Sequence, residues 1–138
     1  MTDVPPRAVP HRHAGIDFSV SATVLESLDA NKLADFYEAL LGWTRIYEEP
    51  GWVMLRPPNG GPGLSFNTDA LYRPPTWPAR GPHQQMQAHM DFLVSDLPMA
   101  VEHALATGAR LADHQPQDDV RVLLDPAGHP FCFFVEAG

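Results

Sequence analysis

The chain has 138 residues, the size of one compact domain, which argues against separate catalytic and regulatory lobes. Its apolar fraction of 44% and charged fraction of 19% are ordinary for a globular protein with a real core. Nine Lys and Arg residues stand against 17 Asp and Glu, giving a formal net charge of −8. Because this charge repels phosphate backbones and anionic membrane surfaces, we expect neither nucleic acid nor a membrane as a partner.

Targeting and redox signals point to a cytoplasmic protein. No apolar run approaches the ~20 residues that cross a bilayer, and residues 1–13 lack the pattern of a signal peptide. The single cysteine, Cys132, excludes an internal disulfide and an all-thiolate zinc site, as is common in a reducing compartment.

The first half of the chain predicts a β-α-β-β pattern. Residues 1–14 are rich in Pro, Arg and His without periodicity, so we expect a flexible tail. Residues 19–25 predict a strand, and a helix should follow, with Ser27 and Asp29 as candidate N-caps and Gly42 at its end. An apolar stripe at helical spacing supports this helix. Further strands are predicted at 44–48, 52–56 and 64–67.

The second half repeats this order after a loop rich in prolines and aromatics, 71–85. Strands are predicted at 88–94, 110–113, 120–124 and 131–136. A helix should begin at Asp96, which follows Asp29 by 67 residues, and end at Gly108. We therefore divide residues 15–138 into two modules, 15–70 and 86–138. Since one module cannot bury its sheet alone, two copies related by a pseudo-twofold should curl around a shared cavity in an α+β fold.

Four segments carry a resemblance to a known family: LADFYEALLGW, PPTWP, QQMQAHMDFLVSDL and DPAGHPFC, in this order between Thr23 and Cys132. Together they resemble the vicinal oxygen chelate superfamily and, more narrowly, its glyoxalase-like domain (glyoxalase/bleomycin resistance/dioxygenase) subgroup. The resemblance implies two βαβββ modules forming a cupped mixed sheet. The superfamily includes glyoxalase I, extradiol dioxygenases, epimerases, thiol transferases and bleomycin-binding proteins, so it implies a fold more firmly than a function.

In the metal-using members, four strands each present one ligand, usually His or Glu, to a divalent ion. The resemblance places His89 on one of these positions, but the other three fall on Ala22, Ser65 and Cys132. Ala22 offers no donor, and one thiolate beside one imidazole suits soft metals. Glu136 is no substitute, because four residues of strand separate it from Cys132 by ~13 Å. We therefore expect no metal, and the sequence disfavours a divalent cofactor.

The predicted site has two parts. His89 and Asp91 are the candidate catalytic pair, with His89 as general base and Asp91 orienting it. The residues predicted to bind a ligand are Ala22, Val24, Ser65, Asn67, Cys132 and Phe134 in the cup, with Tyr72 and Trp77 at its mouth. Plainer interpretations stay open: His89 as a hydrogen-bonded pocket residue, Cys132 as a small buried hydrophobe, and Trp77 as a plug at a sheet edge or a dimer contact.

Three function classes follow. The leading one is metal-free binding of a small hydrophobic or aromatic molecule in the cup, with drug sequestration as one form and cationic ligands favoured by the net charge. The alternative is a lyase, isomerase or dioxygenase of the superfamily acting through His89. The third is an interaction module whose cavity is filled by its own side chains. Because sheets with exposed edges often pair, we also expect a homodimer.

Overall fold

The computed structural model describes residues 4–5 and 10–136, which fall into two units, Met1–Tyr72 and Arg73–Gly138. Each unit holds one βαβββ module with one helix and a four-stranded mixed sheet. The α+β architecture in two modules is therefore confirmed. The division between the units lies inside the predicted loop, 71–85.

An N-terminal hairpin precedes the first module. Strand β1 (His11–His13) pairs antiparallel with β2 (Ile16–Phe18), and Arg12 forms a 2.9 Å salt bridge with Asp17. This hairpin begins within residues 1–14, for which we expected a flexible tail and predicted no strand. Its strands are too short and too exposed to show a burial pattern, and Ala14 at φ 52° is an unusual turn residue. Residues 1–3 and 6–9 of that tail lie outside the described residues.

The first module follows the predicted order. Its elements are β3 (Ala22–Ser27), α1 (Ala30–Leu41), β4 (Thr44–Glu49), β5 (Trp52–Arg56) and β6 (Gly63–Thr68). The sheet order is β3-β6-β5-β4, with β3 parallel to β6 and the other pairs antiparallel. After β3 the chain therefore crosses to β4 at the opposite edge of the sheet, and it returns through β5 to β6, which lies beside β3. Helix α1 forms the crossover between β3 and β4.

Helix α1 is bounded by the predicted signals. The Asp29 carboxylate accepts the backbone N–H groups of Asn31 and Lys32, both at 3.1 Å, and Gly42 ends the helix in the left-handed region at φ 69°. The buried face of the helix contacts β5 and β6, and the Tyr37 ring stacks on Phe66 with centroids 5.7 Å apart. The core of this module consists of Leu33, Phe36, Tyr37, Leu40, Val53, Leu55, Leu64 and Phe66.

Arg45 joins β4 to α1. Its guanidinium contacts Asp35 at 2.8 Å, Glu38 at 3.3 Å and Glu48 at 2.6 Å, while its side chain is only 16% exposed. Burial by itself lowers the pKa of Arg45, but the three carboxylates outweigh it and raise the pKa above its ordinary value. The edge strand is thus tied to the helix by a permanently charged group.

The second module has the same topology. Its elements are β7 (Met90–Leu93), α2 (Leu97–Thr107), β8 (Arg110–Leu111), β9 (Val120–Leu124) and β10 (Pro130–Phe134), in the sheet order β7-β10-β9-β8 with β7 parallel to β10. Asp96 caps α2 by accepting the Met99 N–H at 2.9 Å, and Pro98 lies in its first turn as predicted. Across both modules, the observed strand ends differ from the predicted ones by up to three residues.

Different side chains cover the two faces of the second sheet. On one face Phe131 and Phe133 are buried and make edge-on contacts with Phe92 at centroid distances of 6.0 and 6.1 Å. On the other, Val122 and Cys132 form a small cluster with Ala112, against which Trp77 packs. Cys132 therefore lies on the face opposite the aromatic cluster.

Within the ranges that the structure describes, neither helix has the length and apolar character that a membrane span requires.

Replacing the cap tests this description of α1. Asp29→Ala removes the acceptor of two helix N–H groups and should lower the free energy of unfolding by about 1 kcal/mol. Denaturant unfolding followed by circular dichroism measures this loss. The matched control is Glu102→Ala, an exposed acidic residue of α2, which should change the stability by less than about 0.5 kcal/mol. Equal losses in the two variants would contradict the capping role.

Candidate functional site

Strand pairing in the second module brings Asp91 beside Cys132. The two residues are register partners on the parallel strands β7 and β10, so their Cα atoms lie about 5 Å apart and their side chains leave the same face of the sheet. The Cys132 sulfur and an Asp91 carboxylate oxygen lie within 4.8 Å of each other. Parallel pairing thus brings a thiol and a carboxylate close together, although 41 positions separate them in the sequence.

The start of β10 is fixed by the turn that precedes it. The buried Asp125 carboxylate accepts the backbone N–H groups of Ala127 and His129 at 2.9 and 3.0 Å, and it pairs with the His129 ring at 2.7 Å. Gly128 adopts φ 92°, which the turn requires and which favours glycine. His129 therefore stabilises the turn that sets the position of Cys132 three residues later.

His89 completes the group. It lies two residues before Asp91, so in extended backbone both side chains point to the same face. His89 Nε2 is 3.1 Å from Asp91 Oδ1, with the two side chains 38% and 58% exposed. A neutral imidazole that carries its proton on Nε2 leaves Nδ1 as an acceptor. The Asp91 carboxylate thus lies beside the imidazole, and its role in orienting His89 stays a prediction.

Together these three side chains place a nitrogen, an oxygen and a sulfur donor within 4.8 Å of one another. Asp91 is the central member because it lies 3.1 Å from His89 and is the register partner of Cys132. The two outer members differ in exposure, since His89 is exposed and Cys132 is buried. A small ligand can therefore reach the group from the imidazole side.

The environment of Cys132 suppresses its ionisation. Burial, followed by the negative charge of Asp91 and the hydrogen bond to it, raises the pKa of Cys132 to about 11. The thiol is therefore protonated at neutral pH. A protonated thiol is a poor nucleophile, so the free protein offers no thiolate for covalent catalysis.

A cavity of about 320 Å³ opens over this group. Its wall is made by His89, Asp91, Gln117, Asp119, Val120, Cys132, Phe134 and Val135. One part of the wall is apolar, because Val120 and Phe134 are register partners on β9 and β10 and Val135 follows directly. The other part is polar and acidic, with two carboxylates and an imidazole. This volume lies at the lower end of the range for ligand pockets.

Four of the ten predicted site residues line this cavity: His89, Asp91, Cys132 and Phe134. Four others belong to the first module, where Val24 pairs with Ser65 and Ala22 with Gly63, while Asn67 donates to Glu26 at 2.8 Å. Ser65 is buried and Val24 is 48% exposed. Of these four, Ala22 and Val24 have no polar side-chain atom.

The two aromatic residues predicted at the mouth are anchored locally. The Trp77 ring packs against the cluster of Ala112, Val122 and Cys132, and its Nε1–H donates to the His114 carbonyl at 3.1 Å. The Tyr72 backbone N–H donates to the Asp69 carbonyl at 3.0 Å in the first unit. In the second unit, Trp77 thus packs on the face of the sheet that carries Cys132.

Four residues of the cavity wall were not predicted from the sequence: Gln117, Asp119, Val120 and Val135. Val120 is the first residue of β9. It pairs with Phe134 because of the strand register, which no local sequence pattern indicates. Gln117 and Asp119 lie in the connection before that strand, where polar residues are expected for solubility alone. The one available signal was the acidic pair Asp118–Asp119 directly before an apolar strand.

Comparison with known proteins agrees with this fold. The sequence profile of the glyoxalase-like domain matches residues 22–134. No curated protein sequence matched the chain significantly.

Solved structures match at low identity. A glyoxalase/bleomycin resistance protein/dioxygenase family enzyme from Burkholderia phytofirmans PsJN is 19% identical with a TM-score of 0.65, covering 86% of this chain and 98% of its own. A glyoxalase-related enzyme from Fulvimarina pelagi is 18% identical with a TM-score of 0.62, covering 86% and 88%. A glyoxalase/bleomycin resistance protein from Albidiferax ferrireducens T118 is 18% identical with a TM-score of 0.58, covering 85% and 98%. At these identities the comparison supports the fold alone.

The four-ligand metal centre of metal-using superfamily members does not fit this chain. Of the four positions, Ala22 has no side-chain donor and Ser65 offers a neutral hydroxyl, while Cys132 replaces a carboxylate with a thiol. Hard cations prefer oxygen ligands and high coordination numbers. No chemical step is therefore assigned to such a centre here.

The raised pKa of Cys132 predicts slow alkylation of its thiol in the folded protein. In protein treated with a chelator, alkylation of Cys132 by iodoacetamide at pH 8 should be about a hundredfold slower than in the unfolded chain, because a rise of two pKa units reduces the thiolate fraction by that factor. The rate should climb until the pH passes about 11. Mass spectrometry of the alkylated protein against time measures the rate.

Asp91→Asn separates the effect of burial on the Cys132 pKa from the effect of Asp91. It removes the negative charge beside the thiol, so the pKa of Cys132 should fall and alkylation at pH 8 should become faster. Asp113→Asn, an exposed acidic residue outside the cavity wall, should leave the rate unchanged. A wild-type rate that levels off near pH 8.5 would contradict the protonated thiol.

Proposed function

Because the chain belongs to the glyoxalase-like domain family of the vicinal oxygen chelate superfamily, we propose that it binds a small molecule in the cavity of its second module. The ligand has an apolar or aromatic body and a cationic group. The observation that carries this proposal is the two-sided wall, in which Val120, Phe134 and Val135 face the same 320 Å³ space as Asp91 and Asp119. Such a wall fixes both the body and the charged end of a ligand.

The apolar side supports a flat hydrocarbon body. Phe134 and Val120 lie side by side on neighbouring strands, so an aromatic ring can pack over both side chains. Removing roughly 100 Å² of apolar ligand surface from water contributes about 2.5 kcal/mol. After the cost of association, this term alone gives only weak binding.

The acidic side supports a positive charge. Asp91 and Asp119 both face the cavity, and a charge-assisted hydrogen bond to a carboxylate contributes about 1.5–3 kcal/mol. The net charge of −8 adds a long-range attraction for cations and repels anionic competitors. Together the two sides suit a protonated amine on an apolar body.

Side chains alone supply these contacts, so the metal-free ligand binding predicted from the sequence is retained in the proposal. Sequestration of a cationic aromatic drug is one form of this function, and a structure named as a glyoxalase/bleomycin resistance protein shares the fold. The predicted homodimer stays a prediction, for which the molecular mass in solution is the measurement.

A second candidate function is proton-transfer catalysis. It is favoured by the 3.1 Å distance between His89 Nε2 and Asp91 Oδ1, because a carboxylate beside Nε2 stabilises a proton there and leaves Nδ1 as the base. A ligand with an acidic C–H beside a carbonyl group would then be isomerised or cleaved. This is the form that the lyase or isomerase alternative takes in the structure.

A panel of single-ring probes tests the binding proposal. Phenethylamine, which is cationic at pH 7.5, should bind at least about tenfold more tightly than the anion 3-phenylpropanoate, with neutral 2-phenylethanol between them. Dissociation constants from ligand-observed NMR should lie in the high-micromolar to millimolar range for such small probes. Equal affinities for all three probes would contradict the charge selectivity.

Two variants locate the binding. Asp119→Asn should weaken phenethylamine about tenfold without affecting 2-phenylethanol, and Phe134→Ala should weaken both. The control is Glu102→Gln, which removes one exposed negative charge outside the cavity wall. If Glu102→Gln and Asp119→Asn have the same effect, binding is a property of net charge and the assigned cavity is wrong.

The catalytic candidate has its own measurement. A phenyl-substituted amino ketone incubated with the protein in D₂O should exchange the proton beside its carbonyl faster than in buffer, as followed by NMR. His89→Gln keeps a hydrogen-bonding side chain but removes the base, so it should abolish the exchange while the ketone still binds. Exchange that continues in His89→Gln would exclude His89 as the base.

A further inference from the structure

The N-terminal hairpin carries two histidines on one face. In β1, His11 and His13 are separated by one residue, so their side chains leave the same side of the strand from Cα atoms about 6.5 Å apart. Register partners of an antiparallel pair also share a face, so Phe18, opposite His11, and Ile16, opposite His13, lie beside them. We call the side formed by these four residues the histidine face.

The hairpin has the geometry of a paired element rather than that of a free tail. The two residues between its strands, Ala14 and Gly15, have φ values of 52° and 76°. Positive φ at both positions is typical of the type I′ turn, which matches the twist of the flanking strands. On the other side of the hairpin, Arg12 and Asp17 form their 2.9 Å salt bridge across the strands. The relative position of the two imidazoles is therefore set by strand pairing.

The histidine face is exposed. Both histidines are exposed, and Ile16 and Phe18 retain 54% and 52% of their accessible surface. Among the described elements, the strands of the hairpin make extensive contact only with each other. A two-stranded hairpin by itself is marginally stable in water, so this one gains stability when a partner covers its face.

Two imidazoles supply half of a zinc site. A closed structural site holds Zn²⁺ with four ligands in a tetrahedron, at Zn–N distances of about 2.0–2.1 Å, which places the nitrogen atoms about 3.3 Å apart. Side chains at alternate positions of a strand can reach one ion, because each exposed imidazole can turn toward the other. Two ligand positions of that ion then remain for a partner.

We propose that the histidine face binds Zn²⁺ between two copies of the chain, with His11 and His13 of each copy as the four ligands. A twofold axis through the ion relates the copies, so each contributes the same surface, as in most homodimers. Ile16 and Phe18 flank the histidines, and they pack against the same residues of the other copy. The site is incomplete in a single chain, which makes the ion and the second copy depend on each other.

Charge favours this surface for contact between copies. Each chain carries a net charge of −8, so two copies repel each other at long range. Within 10–18, however, Arg12 balances Asp17, and the hairpin adds no net negative charge. Each histidine binds in its neutral form, with the proton on the nitrogen that is not a ligand. The bound ion therefore adds two positive charges where the two acidic chains meet.

The donor set selects the metal. Imidazole nitrogen suits Zn²⁺, Cu²⁺ and Ni²⁺, whereas Mg²⁺ and Ca²⁺ require oxygen ligands. Four imidazoles in a closed tetrahedral set favour Zn²⁺ in particular. The inference does not rest on the proposed function, because the hairpin belongs to the first unit and the proposed ligand cavity to the second. Either proposal can fail without the other.

The full chain tests this site. The protein is freed of metal with a chelator, and Zn²⁺ is then added at pH 7.5 while sedimentation velocity measures the mass. We expect the mass of the metal-free species to double, with saturation at one Zn²⁺ for two chains as measured by calorimetry. A chelator should reverse the change, and excess Mg²⁺ should not produce it.

Variants of the hairpin assign the ligands. His11→Gln and His13→Gln should each weaken zinc-dependent association at least about tenfold, because each removes two of the four ligands from the assembled site. Phe18→Ser keeps all four ligands but removes apolar contact, so it should weaken association less. Arg12→Gln, on the opposite side of the hairpin, and His83→Gln, an exposed histidine of the second unit, should associate as the wild type does.

Two results would overturn the proposal. One is saturation at one Zn²⁺ per chain with no change in mass, because the two histidines would then hold the ion without a second copy. The other is a zinc-dependent doubling of mass that is equally strong in His11→Gln, His13→Gln and His83→Gln, because adventitious capture at another surface would then join the copies. All these substitutions lie at exposed positions, so circular dichroism should show the wild-type fold in each variant.

Discussion

The parallel pairing of β7 with β10 is the constraint on which the site depends. Two parallel strands cannot be joined by a tight turn, so the chain between them forms a helix and two further strands before it returns. This return places Cys132 opposite Asp91 in register. Because a shift of one residue would turn the thiol to the aromatic face, where Phe131 and Phe133 are buried, the hydrophobic core of the module fixes the register.

The same pairing occurs in the first module with different side chains. The offset of 67 residues that relates the two helix caps also carries Val24 to Asp91 and Ser65 to Cys132, and these residues are register partners in both modules. Backbone pairing and helix capping hold each module together, so the side chains on this face were free to differ. The first module has aliphatic and neutral groups where the second has a carboxylate and a thiol.

How far the sequence predicts this protein depends on whether a signal is local. Asp29 and Gly42 bound α1 as predicted, because capping chemistry and helical periodicity act within a few residues. The N-terminal hairpin was missed, since its short exposed strands and its Ala14 turn carry no such signal. The fold class was predicted from the repeated order of elements. Errors of up to three residues in the predicted strand ends do not change that order.

The site was predictable only in part for the same reason. The spacing of His89 and Asp91 predicted two side chains on one face of a strand, and the structure adds the 3.1 Å distance between His89 Nε2 and Asp91 Oδ1. The contact between Asp91 and Cys132 depends on a parallel register 41 residues apart, which no local pattern encodes. Asp91 was therefore interpreted as a companion of His89, although it is the residue that joins the other two.

The central position of Asp91 decides what kind of occupant the cavity favours. Its negative charge stands beside a buried thiol, and the second carboxylate of the wall, Asp119, faces the same space. Bringing positive charge into this space relieves the repulsion between the two carboxylates, while an anion adds to it. The apolar residues Val120, Phe134 and Val135 form the other side of the same wall. Charge and apolar surface together therefore favour a protonated amine on an apolar body.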